Sequence, residues 1–185
     1  MTKPVTAFTE IEGKILNIKP GQVRTKLKKL GAKKVEDYDY KRYVFDVIPA
    51  SSNAWVRLRT DGKSSSLTVK EINNDSTTGT EEWEVEVSDF DTTLVLLQKV
   101  GLTPRGYQEN RRELFLLNGV EVCIDEWPGI PPYLEIEGKS VEEIEEVATK
   151  LGYKAGQLIG DNTDKVYAQY GINLKEKAEL RFSQS

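Results

Sequence analysis

What most limits the folding of this chain is a two-residue alternation, repeated along segment after segment, in which one set of positions is apolar and the other ionic. Successive side chains of a strand point to opposite faces, whereas a helix repeats every 3.6 residues, so only strands can sort these residues cleanly. Glu10, Glu12 and Lys14 share a face against Ile11 and Ile15. Arg57 and Arg59 oppose Val56 and Leu58; Thr68 and Lys70 oppose Leu67 and Val69; Glu82, Glu84 and Glu86 oppose Trp83, Val85 and Val87. Near the end, Cys123 and Asp125 oppose Val122 and Ile124, and Glu135 and Glu137 oppose Leu134 and Ile136. Such segments fall at roughly 7–18, 35–47, 54–60, 66–72, 80–88, 107–117, 120–126 and 133–138, which predicts eight strands.

Helical spacing lies between some of them. Pro20, Val23, Leu27 and Leu30 before Gly31 predict one helix, and Leu94, Leu97 and Val100 before Gly101 a second. Ser140 and Glu143 predict a capping box ahead of an apolar stripe of Ile144, Val147, Ala148 and Leu151 that stops at Gly152. Asn118-Gly119 predicts a two-residue hairpin. Asn73 to Thr80 has the composition of a polar loop, and Trp127 to Pro132 that of a rigid aromatic connection. The expected organisation is one α+β domain over 1–175 with a charged tail over 176–185, the stretch from Leu174 to Ser185 being helical at first and then frayed.

The ionic faces admit two readings. The simpler is an antiparallel sheet whose charged face meets water. Against it, the signs segregate by strand, and three glutamates on alternate positions repel unless something positive lies opposite. The other reading turns the ionic faces inward around a closed or nearly closed β-barrel with the helices packed outside. Such a lumen needs compensation, and facing acidic and basic walls invite a polyanion together with divalent cations. Arg pairs bidentately with phosphate oxygens, and carboxylates hold Mg²⁺ beside substrate phosphates.

The chain contains no histidine, so His-based triads, imidazole metal ligands and histidine general bases are excluded. Its single cysteine, Cys123, excludes an internal disulfide and is expected to be a small core residue. A formal charge of −4 without a basic run argues against a nucleic-acid binder. There is no apolar run of membrane-spanning length, so the expectation is a soluble, cytoplasmic protein with no membrane partner. The oligomeric state is left open, a homodimer included.

Taken in order, these motifs resemble the CYTH, or triphosphate tunnel metalloenzyme, superfamily, which includes class IV adenylyl cyclases, thiamine triphosphatases and inorganic tripolyphosphatases. The family's E-x-E-x-K matches Glu10 to Lys14, its R-x-R Arg57 to Arg59, its T-x-K Thr68 to Lys70, and its E-x-E falls within Glu82 to Glu86. Its basic strand matches at Arg112, and its D and E-x-E ending at Asp125 and Glu135 to Glu137. The resemblance implies an eight-stranded antiparallel tunnel that binds a triphosphate substrate with Mg²⁺ or Mn²⁺. It implies Lys14, Arg57, Arg59, Lys70 and Arg112 as the phosphate grip, joined by Lys165. It implies Glu10, Glu12, Glu135 and Glu137 as metal ligands, with Asp125 a further one. Three departures stand out: Asn110 occupies a position where the family commonly has Lys, Gly13 stands where a larger residue is usual, and the aromatic Trp127 to Pro132 connection differs from the glycine- and leucine-based turn of many class IV cyclases.

The leading expectation is hydrolysis of a triphosphate, with Glu82 or Glu84 (or Glu86) orienting or deprotonating water and Lys14 also a catalytic candidate. A second is adenylyl cyclase activity, for which Trp55, Trp127 or Tyr133 offers a stacking face to a nucleoside. A third is a polyphosphate- or nucleotide-binding module without turnover.

Overall fold

The computed structural model describes the backbone of residues 8–73 and 80–183, with side chains from Ile11 onward. Ten strands form one sheet: β1 Phe8–Glu10, β2 Glu12–Ile15, β3 Lys33–Asp46, β4 Ala54–Thr60, β5 Ser65–Ile72, β6 Thr80–Glu86, β7 Pro104–Leu117, β8 Val120–Glu126, β9 Tyr133–Glu137 and β10 Glu179–Leu180. Among the described residues four α-helices accompany them: α1 Pro20–Lys29, α2 Phe90–Lys99, α3 Val141–Lys150 and α4 Thr163–Ala168. Among the described residues no helix is long and apolar enough to cross a membrane.

The sheet order is β1-β6-β5-β4-β3-β7-β8-β9-β2, antiparallel at every step. Its two ends are neighbours in sequence. What the alternation predicted as one opening strand is two, interrupted at Ile11. Phe8–Glu10 pairs with β6, and Glu12–Ile15 pairs with β9. The interruption is where the chain passes from one end of the sheet to the other, and Ile11 there accepts a 3.0 Å bond from the Gly138 N–H. Lys14 and Ile159 exchange two backbone bonds of 2.9 and 3.0 Å on the other edge of β2, capping it. The sheet therefore curls into a nearly closed barrel, the second of the two readings that its ionic faces admitted.

Asn118 and Gly119 both have positive φ, 55° and 88°, and make the expected tight hairpin between Leu117 and Val120. The helices cover the apolar outer face. Val23 and Leu27 of α1 and Ile144, Val147 and Ala148 of α3 are buried against Ile15, Phe115, Val122, Leu134 and Ile136. Each of these side chains larger than alanine contributes about 1.5–3 kcal/mol by leaving water. On the other side Phe90, Leu94 and Leu97 of α2 pack on Phe45, Val56 and Leu58.

Ser140 Oγ accepts the Glu143 N–H at 3.2 Å, but the Glu143 carboxylate accepts from Lys139 N (2.8 Å), so the capping box is displaced by one residue. The segment from Leu174 is helical only for the 3₁₀ turn Leu174–Glu176, and Glu179–Leu180 then lies parallel to β7 beyond the end of β8. Together with α4 it forms a second apolar cluster, where Val166, Tyr167, Leu174 and Leu180 meet Trp127, Ile130 and Tyr133.

Candidate active site in the barrel lumen

The ionic faces line one cavity of about 780 Å³, within the range of small-molecule sites. That rules out a sheet with its charged face in water: Lys14, Arg42, Asp125 and Glu135 on this face are all buried.

Register explains which charges meet. Lys14 on β2 lies opposite Glu135 on β9, and its Nζ is 3.3 Å from Glu135 and 2.5 Å from Glu12. Burial to 3% exposure lowers the lysine pKa, but the two carboxylates together outweigh it and hold the ammonium charged. Arg112 on β7 lies opposite Asp125 on β8 and grips it bidentately at 2.8 and 2.7 Å, with a third bond of 2.6 Å to Glu135. Burial pushes the Asp125 carboxyl up against the pull of Arg112. Burial also opposes ionisation of Glu135, but Arg112 and Lys14 win there and hold it below the usual carboxylate range.

A second network spans β4, β5 and β6. Arg57 donates to Glu82 at 3.1 Å, to Glu84 at 3.3 Å and to Thr68 at 3.3 Å, and Lys70 is 2.7 Å from Glu82. Glu84 Oε2 also accepts from Ser66 and from Thr68 at 2.7 Å, and Arg59 lies 3.8 Å away. Thr68, chosen on sequence only as part of a motif, is the buried post of this network.

Glu12 and Glu121 flank Glu137 in register on the neighbouring strands, so three carboxylates form a row across β2, β9 and β8. Burial, together with Glu135, Glu12 and Glu121, raises the Glu137 pKa to about 7. Among the described residues no three acidic or cysteine side chains close around a ready-made metal position. The donor set nevertheless suits a hard divalent cation, since oxygen ligands crowded enough to repel one another are relieved by one.

Lys14, Arg57, Arg59, Lys70 and Arg112 all line this cavity, as do Glu12, Glu82, Glu84, Glu135 and Glu137. Asp125 does not; it sits behind Arg112, fully enclosed. Lys165 lies on α4 outside the lining, next to Asp164, which is part of it. Glu86 is exposed beyond the cavity. Glu10 pairs with Thr80 through its backbone, and its side chain lies outside the described residues. Cys123 belongs to the lumen wall rather than the outer core, its thiol pushed up by burial. Trp55, Trp127 and Tyr133 all border the cavity, but Trp127 and Tyr133 are buried and the Arg42 guanidinium covers the Trp127 ring, whereas Trp55 is half-buried.

Sequence reasoning missed Arg42 and Glu121. Arg42 shares the inward face of β3 with Tyr40 and Val44, but it follows Lys41, and adjacent charges conceal which one faces in. Following the parity from Phe45, which is in the outer core, would have found it.

Comparison with known proteins agrees with this geometry. A model of the CYTH domain matches residues 9–170. Among solved structures, a protein from Pyrococcus horikoshii has a TM-score of 0.74 at 25% identity, covering 83% of this chain and 96% of its own. A protein from Vibrio parahaemolyticus described as a candidate adenylate cyclase has a TM-score of 0.73 at 11% identity, covering 88% of this chain and 99% of its own. One from Hippeastrum, described as a candidate adenylyl cyclase with a dominant triphosphatase activity, has a TM-score of 0.61 at 17% identity, covering 91% and 99%. At these last two identities the likeness is one of fold. Comparison with curated proteins finds no match.

Proposed function

The chain belongs to the CYTH domain family, and from that premise we propose that it is a divalent-metal-dependent triphosphatase acting on inorganic tripolyphosphate or an organic triphosphate. The observation that carries this is the convergence of Lys14, Arg57, Arg59, Lys70 and Arg112 with a carboxylate row on one cavity.

The basic groups bind the phosphoryl oxygens and stabilise charge that develops in transfer. Arg57 and Lys70 reach their positions already oriented by Glu82, and Lys14 by Glu12 and Glu135. Asp125 acts through Arg112, fixing the plane of the guanidinium. Glu84, held by Thr68 and Ser66 beside the grip, orients the attacking water and accepts its proton, with Glu82 its neighbour in that role. Glu12, Glu137 and the sequence-assigned Glu10 would hold Mg²⁺ or Mn²⁺, with Glu135 behind them. When bound, the ion supplies Lewis-acid neutralisation of the phosphates. The Hippeastrum protein's triphosphatase activity supports the choice of reaction by fold analogy alone.

Adenylyl cyclase activity is the weaker reading, because the enclosure of Trp127 and Tyr133 leaves Trp55 as the one remaining stacking face of the three considered. The test is a product assay: tripolyphosphate, thiamine triphosphate and ATP are each incubated with Mg²⁺ or Mn²⁺ and followed by phosphorus NMR. Orthophosphate release is expected. Cyclic AMP with pyrophosphate would replace the triphosphatase by a cyclase, and binding without product would reduce the protein to a binding module. Glu12→Gln should abolish turnover while the protein still folds, and retained turnover would remove Glu12 from the metal site.

A further inference from the structure

We propose that Arg42 is an oxyanion-binding residue of the lumen, positioned by Asn110, and that it takes a phosphoryl oxygen of the ligand. That the oxyanion is part of a triphosphate rests on the function proposed above; the oxyanion subsite itself does not.

Four observations lead there. Arg42 is only 8% exposed, yet among the described residues no carboxylate lies within salt-bridge distance of it, whereas Lys14, Arg57, Arg59, Lys70 and Arg112 each have one. Its hydrogen-bond partner is neutral: Nη2 donates to the side-chain oxygen of Asn110, itself buried, and the buried Nε has no acceptor. Its closest electrostatic neighbours carry its own sign, and the nearby Asp125 carboxylate, which feels Arg42, is already gripped bidentately by Arg112. Arg59 is directly opposite in register, with Arg57 and Arg112 nearby, and burial followed by these three arginines pulls the guanidinium pKa down. Finally, the guanidinium lies over the Trp127 ring, 4.7 Å from its centroid, and the indole Nε1 also lacks an acceptor.

A buried cation with like charges around it and unmet donors is costly to keep. It is not a structural ion pair, and an apolar residue would pack on Trp127 without that cost. An oxyanion between Arg42, Arg59 and Arg112 would relieve the repulsion of all three and supply acceptors, making this corner of the lumen the place where net positive charge awaits a ligand. Asn110 supports this by bonding the guanidinium without neutralising it.

Binding of tripolyphosphate, and in parallel of orthophosphate, is measured by calorimetry in buffer with EDTA, where metal-dependent turnover is suppressed. Arg42→Gln should weaken tripolyphosphate binding about tenfold to a hundredfold, the range for charge-assisted bonds to an anion. Because Arg42 and Asn110 touch, the transposed pair Arg42→Asn with Asn110→Lys returns a cation to the same corner and should recover most of the loss. Unchanged affinity in a folded Arg42→Gln protein would overturn the assignment. So would a loss that the transposed pair, folded by circular dichroism, fails to recover, since that result makes Arg42 a packing residue. If the parent protein binds orthophosphate through Arg42 but refuses tripolyphosphate, the oxyanion subsite stands and the triphosphate reading falls. If it binds tripolyphosphate with Arg42→Gln indifferent, the reverse holds.

Discussion

Replacing Arg112 by Met is the sharpest probe of the lumen, because Met keeps much of the side-chain volume and removes the charge. In the parent protein Arg112 makes three charge-assisted bonds of 2.6–2.8 Å to Asp125 and Glu135. Asp125 is fully buried, and among the described residues Arg112 is its hydrogen-bond partner. Breaking a buried pair and leaving the carboxylate enclosed costs about 3–5 kcal/mol. At about 2–4 °C per kcal/mol for a domain of this size, the melting temperature should fall by roughly 6–20 °C. Adding Asp125→Asn and Glu135→Gln to Arg112→Met removes the uncompensated charge and should recover a large part of that loss, a coupling that a mutant cycle reads directly. The pH dependence has a definite sign. Without Arg112 the folded-state pKa of Asp125 rises further above its unfolded value of about 3.9, so the penalty is absent below that pH and grows as pH rises. In the parent, Glu135 is depressed and contributes stability that is present at neutral pH and lost in acid. The gap between the two proteins should therefore be widest near pH 8 and narrow toward pH 5. Urea unfolding followed by tryptophan fluorescence measures it. A loss below about 1 kcal/mol at pH 8, or a gap independent of pH, would mean that the pair is solvated and the lumen is not the enclosed site described.

Glu137, raised to about 7, has a folded pKa above its unfolded one, so the metal-free protein should lose stability between about pH 4.3 and 7 as this carboxyl is forced to ionise. Mg²⁺ should raise the melting temperature more at pH 7.5 than at pH 5.5, and Glu137→Gln should flatten the metal-free slope; thermal melts at the two pH values, with EDTA or MgCl₂, check both. Arg57→Ala removes the donor shared by Glu82, Glu84 and Thr68 and should raise the substrate KM by about tenfold or more in steady-state assays. Gly13→Val should destabilise by about 1–3 kcal/mol in urea melts through overpacking, since even a Cβ there would lie 2.8 Å from Leu158 Cδ2 and 3.4 Å from Ile144 Cδ1.

Legibility varied from element to element. The strand Ala54–Thr60 and the hairpin at Asn118-Gly119 follow from local rules, alternation in one case and left-handed backbone at two turn residues in the other. The opening strand did not, because Glu10 to Lys14 alternates without interruption while the pairing changes partner at Ile11. The same holds for the tail, whose charges suggested a frayed helix but whose Leu180 finds an apolar cluster far away in sequence. Gly13 looked like an oddity of the outer face; Leu158 and Ile144 packing directly upon it supply the reason for a missing side chain.

By itself the sequence determined which side chains share a face, because the two-residue repeat of a strand is a property of backbone geometry and needs no partner. It likewise determined the three principal helices and excluded histidine chemistry. What only the tertiary structure decided is which charges meet. Strand register put Arg112 on Asp125, Lys14 between Glu12 and Glu135, and Arg42 opposite Arg59, bonded among the described side chains to Asn110. Electrostatic interaction falls with distance and strengthens with burial, and neither is defined until the sheet has curled. For that reason the opening Glu-x-Glu-x-Lys stretch is evidence of a strand on paper and of a binding site only in the fold.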